Sequence, residues 1–478
     1  MKINKLYIFI LALSISLVSC SEDFLNDPKP TDEVSGEVVF GSLEGAEAFL
    51  SGIHRNMRSQ FTSDDSAGLN SMYYARSVKG NDIIQGPTWF LFDYENDNRE
   101  PNYRRTTFSW QYPYFMINQT NSLINGVETS EAISDADKGY LIGSAKAIRG
   151  LMYFQLALEF QGTYVGNESA DAPPIYLETS LEGKPMSTMS ELYAQIIDDL
   201  TYSVDNLSDY RLGKSYFNKA AAAGILTRVY QTTGNWDGVA EMANLAWGGG
   251  TVSAVLDPAS YNAGFDQITN IEWIWGYEQS ADQSNYYWGV PHSHADHQTL
   301  SYAGTFFNND FYNLFSDTDV RKSTFVENYY NDNDVNSYRN IISTKFTFNF
   351  DSDNAFLRTA EMILAEAEGK YHLGMEADAH NLLFALQSNR DPNATKSTNT
   401  GDLLLQEILT ERRKELYGEI GVEWFDAKRY GLGMPRTGNH RISGNADMLP
   451  NDKRYFLKVP QSEIDANDNI DDSVNANR

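Results

Sequence analysis

Two stretches of this chain, 218–247 and 356–387, repeat one plan. In the first, Ala222, Leu226, Val229 and Tyr230 recur at helical spacing, Gly234-Asn235 breaks the run, and Trp236, Ala240 and Ala243 take up the next face. In the second, Ala360, Leu364 and Ala367 precede Gly374, and Ala379, Leu382, Leu383 and Leu386 follow it. Residues three and four apart share one helix face, so each half predicts an amphipathic helix. Small residues at the crossing let two helices approach closely. Such a hairpin cannot bury its apolar face alone, so neighbouring hairpins must stack on it. The expectation is a mainly α fold: a tetratricopeptide-like α-α superhelix with irregular, loop-rich insertions carrying short strands.

Further helices extend the series. Ala46, Phe49, Leu50, Ile53 and Met57 predict one over 42–60. Trp110, Tyr114, Ile117, Asn121 and Ile124 predict one over 110–125, and Ile148, Leu151, Met152, Gln155 and Leu158 a long one over 138–160. Pro173, Pro174 and Pro185 exclude a regular helix from 171–190, and a helix restarts from there to 207. In 401–433, Leu405, Ile408, Leu409, Arg412 and Leu416 form a stripe, with Asp402 as the expected N-cap and Gly418 as the stop. A shorter helix through Val422, Phe425 and Lys428 stops at Gly431. Charges are dense here. A solvated face is one explanation; a half-buried ion-pair lattice locking this hairpin to the body is the other. Arg412 favours the lattice, because it sits on the apolar stripe.

The chain start is not fold. Lys2 and Lys5 precede an apolar run over 6–16 that is too short for a comfortable membrane span. Leu17-Val18-Ser19-Cys20 then resembles a bacterial lipobox, and Cys20 is the only cysteine among 478 residues. Lipid modification of Cys20 accounts for a thiol that has no disulfide partner. The expected organisation is a signal peptide over 1–19, a lipidated tether over 20–40, and one domain over 41–478. Its helical repeats fall at 41–60, 110–160, 190–247 and 355–430, and its ligand-binding insertions at 62–103 and 279–305. A formal charge of −28 argues against nucleic-acid partners, which need a basic face.

Both insertions are rich in aromatics beside short polar side chains. The first holds Asp82, Trp89, Phe90, Phe92, Tyr94 and Asn96; the second holds Tyr286, Tyr287, Trp288, His292, His294 and Tyr302. Long non-helical segments in a compact protein are usually functional or disordered, and abundant Trp and Tyr argue against disorder. Sugar rings stack their C–H faces on flat aromatics, while their hydroxyls take Asn, Asp or His partners. These residues, Phe92 apart, are the eleven candidate ligand contacts. Trp273, Trp275 and Tyr277 alternate as in a half-buried strand and belong to the core. His292, His294, Asp296 and His297 offer zinc-type ligands without a standard spacing. Asp351, Asp353 and 331–334 resemble calcium loops only faintly, without the glycine such loops need. No metal or cofactor is expected.

Several blocks resemble one family. Glu411-Arg412-Arg413-Lys414-Glu415-Leu416 followed by Glu423-Trp424-Phe425-Asp426-Ala427-Lys428-Arg429 is similar to the carboxy-terminal signature of the SusD/RagB outer-membrane nutrient-binding lipoproteins. Arg149-Gly150-Leu151-Met152-Tyr153-Phe154-Gln155-Leu156, Ile196-Ile197-Asp198-Asp199-Leu200, Arg358-Thr359-Ala360-Glu361-Met362-Ile363-Leu364 and Val459-Pro460-Gln461-Ser462-Glu463-Ile464 resemble further blocks. The sequence departs at Glu419-Ile420-Gly421, at Gly150, and at its end, which lacks the usual Asn-Pro-Gly-Tyr. The resemblance implies a non-catalytic, lipid-anchored protein of the outer membrane, exposed at the cell surface. It would capture oligosaccharide and deliver it to a SusC-like TonB-dependent transporter. Peptide capture is the runner-up within the binding class. A surface glycoside hydrolase is the alternative from another class, but no nucleophile elbow, zinc helix or phosphate loop occurs.

Overall fold

The structure, a computed structural model, describes residues 36–58, 63–280, 291–442 and 447–478. Cys20, Tyr286, Tyr287 and Trp288 lie outside the described residues. Eleven longer helices carry the frame: α1 Leu43–Asn56, α2 Gly68–Ser77, α3 Arg104–Thr129, α4 Asp135–Phe160, α5 Met189–Asn206, α6 Lys219–Thr233, α7 Trp236–Trp247, α8 Thr359–His372, α9 Glu376–Arg390, α10 Asp402–Leu416 and α11 Val422–Arg429. From α3 to α9 each helix packs against its neighbour in the series, and α10 returns against α8. This is the expected tetratricopeptide-like superhelix. Gly234 and Gly374 take left-handed conformations at the turns of the two repeated hairpins. Asn218 and Asn235 cap α6 and α7 by accepting backbone N–H groups, and Thr188 with Glu191 forms a capping box on α5.

Several boundaries differ from expectation. α1 ends at Asn56, with Ser42 as its cap. α3 runs a turn further at each end and keeps Pro113 inside it. Gly401, not Asp402, is the N-cap of α10; Asp402 lies in the first turn, where its charge still faces the positive helix end. Within the insertion 62–103 an unexpected helix, α2, is buried along its whole length.

The strands lie outside the superhelix. β1 Ile83–Gln85, β5 Thr305–Phe307, β7 Ile341–Ser343 and β6 Phe325–Glu327 form an antiparallel sheet in the order β1-β5-β7-β6. β2 Asp171–Ala172 pairs with β3 Ser187–Thr188, and β4 Trp273–Tyr277 pairs with β8 Asn354–Arg358. Every residue of β4 is buried, so the alternation that suggested one wet face does not hold; both faces are covered. One hydrophobic core runs along the helices. A second gathers Tyr74, Phe90, Tyr94, Phe306, Phe307, Phe311 and Tyr417 beneath the sheet.

Glu411, Arg412, Glu415, Asp426, Lys428 and Arg429 are buried, deeper than a half-buried lattice would place them, while Arg413, Lys414 and Glu423 are half-buried. The Glu415 side chain is fully buried and accepts from Arg358 Nη1 at 3.0 Å, Arg390 Nη2 at 2.9 Å and Arg321 Nη1 at 3.0 Å. Glu272 joins Arg358 and Arg390, and Glu419 joins Arg358 and Lys345. Arg412 donates to Asp426, which also holds Arg429, and Arg429 reaches Glu368 on α8. The lattice therefore ties α8, α9, α10, α11 and β8 together with the loop before β6.

Candidate functional site

The pairing of β1 with β5 brings the two insertions together. Gln85 lies opposite Thr305, and Gly86 N–H donates to Gly304 O at 2.7 Å. The residues after β1 therefore run beside the residues before β5, which places Trp89 next to Tyr302. Gly304 is needed for this approach: a Cβ there would lie 2.9 Å from the side chains of Gln85 and Thr88.

Trp89 is 38 % exposed, and Phe92 on the following turn is 58 % exposed. The Trp89 ring stands beside the Tyr302 hydroxyl, which donates to the Asp64 carboxylate. Burial and Asp64 push the Tyr302 hydroxyl up to about 12. Behind Tyr302 stands a ring stack. His294 lies 5.0 Å from Tyr302 with planes 15° apart, and 5.0 Å from Tyr74 at 25°. The Arg104 guanidinium carbon lies 5.6 Å from the Trp89 ring centroid, and Arg104 Nη2 donates to Asp65 at 2.7 Å. Burial alone would raise the Asp65 carboxyl, but Arg105 and Arg104 outweigh it and hold it below its ordinary value. The result is an aromatic face, Trp89 with Tyr302, edged by Asp64 and Arg104. Its side chains are held before any ligand arrives, so little conformational entropy remains to be lost on binding.

The other expected contacts lie inside. Asp82 is buried, and both its oxygens take the Arg413 guanidinium of α10, Oδ2 at 2.9 Å. Its acidity serves the frame. Phe90 is buried against Tyr74 and His294. Tyr94 is buried under the Arg436 guanidinium, 4.0 Å from its centroid, with its hydroxyl 2.9 Å from His440 Nδ1. Asn96 is buried in a left-handed turn and donates to Lys79 O at 3.4 Å. His292 donates to Phe265 O at 2.5 Å, and burial lowers it to about 4. His294 reaches the face only through Tyr302, and burial lowers it to about 3. These residues shape the floor; Trp89 and Tyr302 alone of the described candidates reach the surface together. Asp64, Asp65 and Arg104 were not anticipated. They sit where irregular chain meets a helix or turn, and their only sequence signal is the two charged doublets, Asp64-Asp65 and Arg104-Arg105.

The grouped histidines do not gather around a common point. His297 takes Tyr330 Oη at 2.7 Å and Thr305 O at 2.6 Å, and Asp296 accepts from Gln298 N, Thr299 Oγ1 and Phe348 N. Among the described residues no group of three or more His, Cys, Asp or Glu stands at metal-binding separation.

Two family models match the chain. Residues 43–231 match the SusD-like model described as starch-binding, associating with the outer membrane, and residues 307–475 match the SusD family model. The chain belongs to the SusD/RagB family. A SusD-like protein of Bacteroides ovatus is 29 % identical over 184 residues, covering 37 % of this chain but only 31 % of that protein's length. The SusD-like carbohydrate binding protein of Bacteroides vulgatus superimposes with a TM-score of 0.82 at 26 % identity, covering 90 % of this chain and 97 % of that one. A laminarin binding SusD-like protein shares the fold at TM-score 0.66 and 19 % identity, over 89 % of this chain and 97 % of that one. The family is carbohydrate-binding and associated with the outer membrane.

Proposed function

We propose that this SusD/RagB chain is a lipid-anchored glycan-capture protein. It holds oligosaccharide on the Trp89–Tyr302 face and passes it, unaltered, to a SusC-like TonB-dependent transporter in the outer membrane. The observation that carries this reading is the exposed Trp89 ring, under the Arg104 guanidinium and beside Tyr302, whose ring lies on the buried His294–Tyr74 stack. Stacking ring and hydroxyl partners meet the two needs of a saccharide at once. Anchoring through Cys20 agrees with the family's membrane association, and no helix among the described residues is long and apolar enough to cross a membrane.

Capture fits this face better than hydrolysis. A glycosidase needs one carboxyl raised to act as general acid. Asp65 is lowered by its arginines, and Asp64 is engaged by the Tyr302 hydroxyl. The test is a glycan array probed with the purified chain, with peptides as a parallel arm and product analysis of every bound glycan. Retention of a neutral oligosaccharide without cleavage is expected. Peptide binding with silence toward glycans, or released sugar, would overturn the reading.

A further inference from the structure

A cavity of about 320 Å³ opens against the middle of α3, bounded by the loop that joins β2 to β3 and by the short helix Gln461–Ala466. Trp110, Tyr114, Asn121, Tyr176, Glu178 and Glu463 are among the residues that line it. Its volume lies at the lower end of the roughly 300–1,000 Å³ of small-ligand sites, room for one headgroup or one sugar-sized unit. None of these residues belongs to the Trp89–Tyr302 face.

Three aromatic rings turn a corner around this space. Tyr114 stands between the other two, its centroid 5.2 Å from Trp110 with planes 51° apart and 5.8 Å from Tyr176 at 84°. Trp110 is all but buried and closes the floor, whereas Tyr114 and Tyr176 are half-buried and keep open ring surface. Both tyrosine tips are engaged elsewhere: the Tyr114 hydroxyl donates to Pro174 O at 2.7 Å, and the Tyr176 hydroxyl accepts from Lys184 N at 2.9 Å. What these residues offer the cavity is therefore carbon surface. The Asn121 amide is also spent, donating to Tyr176 O at 3.0 Å and accepting from Arg149 Nη1 at 2.9 Å. The charges are one-sided. No Lys, Arg or His is among the described residues that line the cavity, and neither Glu178 nor Glu463 has an ion-pair partner among the described residues. Glu463 accepts from neutral donors, Trp110 Nε1 at 3.1 Å and Asn467 Nδ2 at 2.9 Å. Lys184 Nζ lies 5.3 Å from the Tyr176 centroid, outside the lining, and donates to Ile175 O at 3.1 Å.

The chemistry of a fitting ligand follows from rings and charges together. The negative faces of aromatic rings attract cations, and rings set at angles around one space are a recurrent way of holding an ammonium group. A carboxylate accepts hydrogen bonds and cannot donate them. Two uncompensated carboxylates repel an anion, and a neutral hydroxyl compound leaves both charges unanswered. A cation answers the charges and the ring faces at once. We propose that this cavity binds a small organic cation, an ammonium or quaternary ammonium group held among Trp110, Tyr114 and Tyr176 with Glu178 and Glu463 as its counter-charges.

This stands apart from the oligosaccharide reading above, and its test keeps the two separate. Wild type, Tyr176→Leu, Glu178→Gln and Trp89→Ala are titrated by saturation-transfer NMR at neutral pH and low salt, and each variant's melting temperature is recorded. The probes are two cations, choline and glucosamine, and their uncharged counterparts, dimethylbutanol and glucose. Wild type is expected to bind at least one cation about tenfold more tightly than its uncharged counterpart. Tyr176→Leu and Glu178→Gln are each expected to weaken that cation about threefold or more, and Trp89→Ala to bind it as wild type does. Preference for choline marks a quaternary headgroup as the ligand, and preference for glucosamine an amine-bearing sugar. Glu178 is exposed, so Glu178→Gln leaves the fold intact and decides the test if Tyr176→Leu does not fold. Equal affinity for cations and their uncharged counterparts, silence toward both cations, or cation binding unchanged in Glu178→Gln would overturn the proposal. Loss of cation binding in Trp89→Ala would overturn it too, by moving the cation to the other face.

Discussion

Glu415 is the most demanding group in the molecule, and Glu415→Gln tests whether the buried lattice holds the superhelix to the irregular half. Its side chain is fully buried and accepts from Arg358, Arg390 and Arg321. Glutamine has the same shape but removes the charge and turns an N–H donor toward guanidinium donors. Arg321, Arg358 and Arg390, each all but fully buried, would then lose a shared counter-charge. Breaking a buried pair from one side costs about 3–5 kcal/mol. A chain of 478 residues has an unfolding entropy of about 1 kcal/mol per kelvin on the usual per-residue scale. The melting temperature should therefore fall by about 3–5 °C. Burial alone would raise the Glu415 carboxyl, but Arg390, Arg358 and Arg321 hold it well below the carboxylate range. A group lowered in the folded state stabilises above its unfolded pKa and loses that effect as pH falls through its folded value. The gap between wild type and Glu415→Gln should thus be constant from pH 5 to 8 and close in strong acid. Scanning calorimetry across that range is the assay. A Glu415→Gln protein that melts within 1 °C of wild type at pH 7 would refute the reasoning.

Three further outcomes follow from the same contacts. Burial and the nearby Asp82 push the Glu423 carboxyl up to about 7, against the opposing Arg413. A carboxyl raised on folding favours the folded state at low pH and loses that effect as pH rises through the folded value. Glu423→Gln should therefore flatten the decline in stability between pH 5 and 8, by on the order of 1–2 kcal/mol, in denaturant titrations; an unchanged slope would contradict it. Gly421→Ala should cost about 2–4 kcal/mol, because φ is +72° and a Cβ would lie 2.3 Å from Arg76 Cβ and 2.9 Å from the Arg76 backbone. Thermal melting checks this, and an unshifted transition would mean that α11 does not press on α2 as described. Lys322→Ala removes an exposed pair with Asp317 and should change stability by less than about 1 kcal/mol, a control for the Glu415 result.

The frame was legible because helices buried on one face write their period into the sequence. The Gly234 and Gly374 turns and the lattice signalled by Arg412 were readable in the sequence, whereas the Asn218 cap emerged only in the structure. α2 was not, since a helix buried on every side carries no stripe, and Asn70, Ser71, Arg76 and Ser77 made it look like loop. The three-residue strands β1 and β5 were too short to give an alternating pattern. Their pairing is nevertheless what brings Trp89 to Tyr302, and nothing local in either insertion announces a partner so distant in the chain. Trp89 was recognisable from its Gly-Pro flank. Tyr94 and Asp82 looked equally suited to a ligand because composition cannot tell a polar group facing solvent from one facing Arg413 or Arg436.

The proposed capture depends on a preformed aromatic face that holds sugar without cutting it. Its most direct test is calorimetric titration of wild type and Trp89→Ala with the oligosaccharide selected on the array, followed by product analysis of the same samples. The expected result is saturable wild-type binding, at least tenfold weaker in Trp89→Ala, with the oligosaccharide recovered intact. Equal affinity in the two proteins, or shortened oligosaccharide in the wild-type sample, would contradict the account.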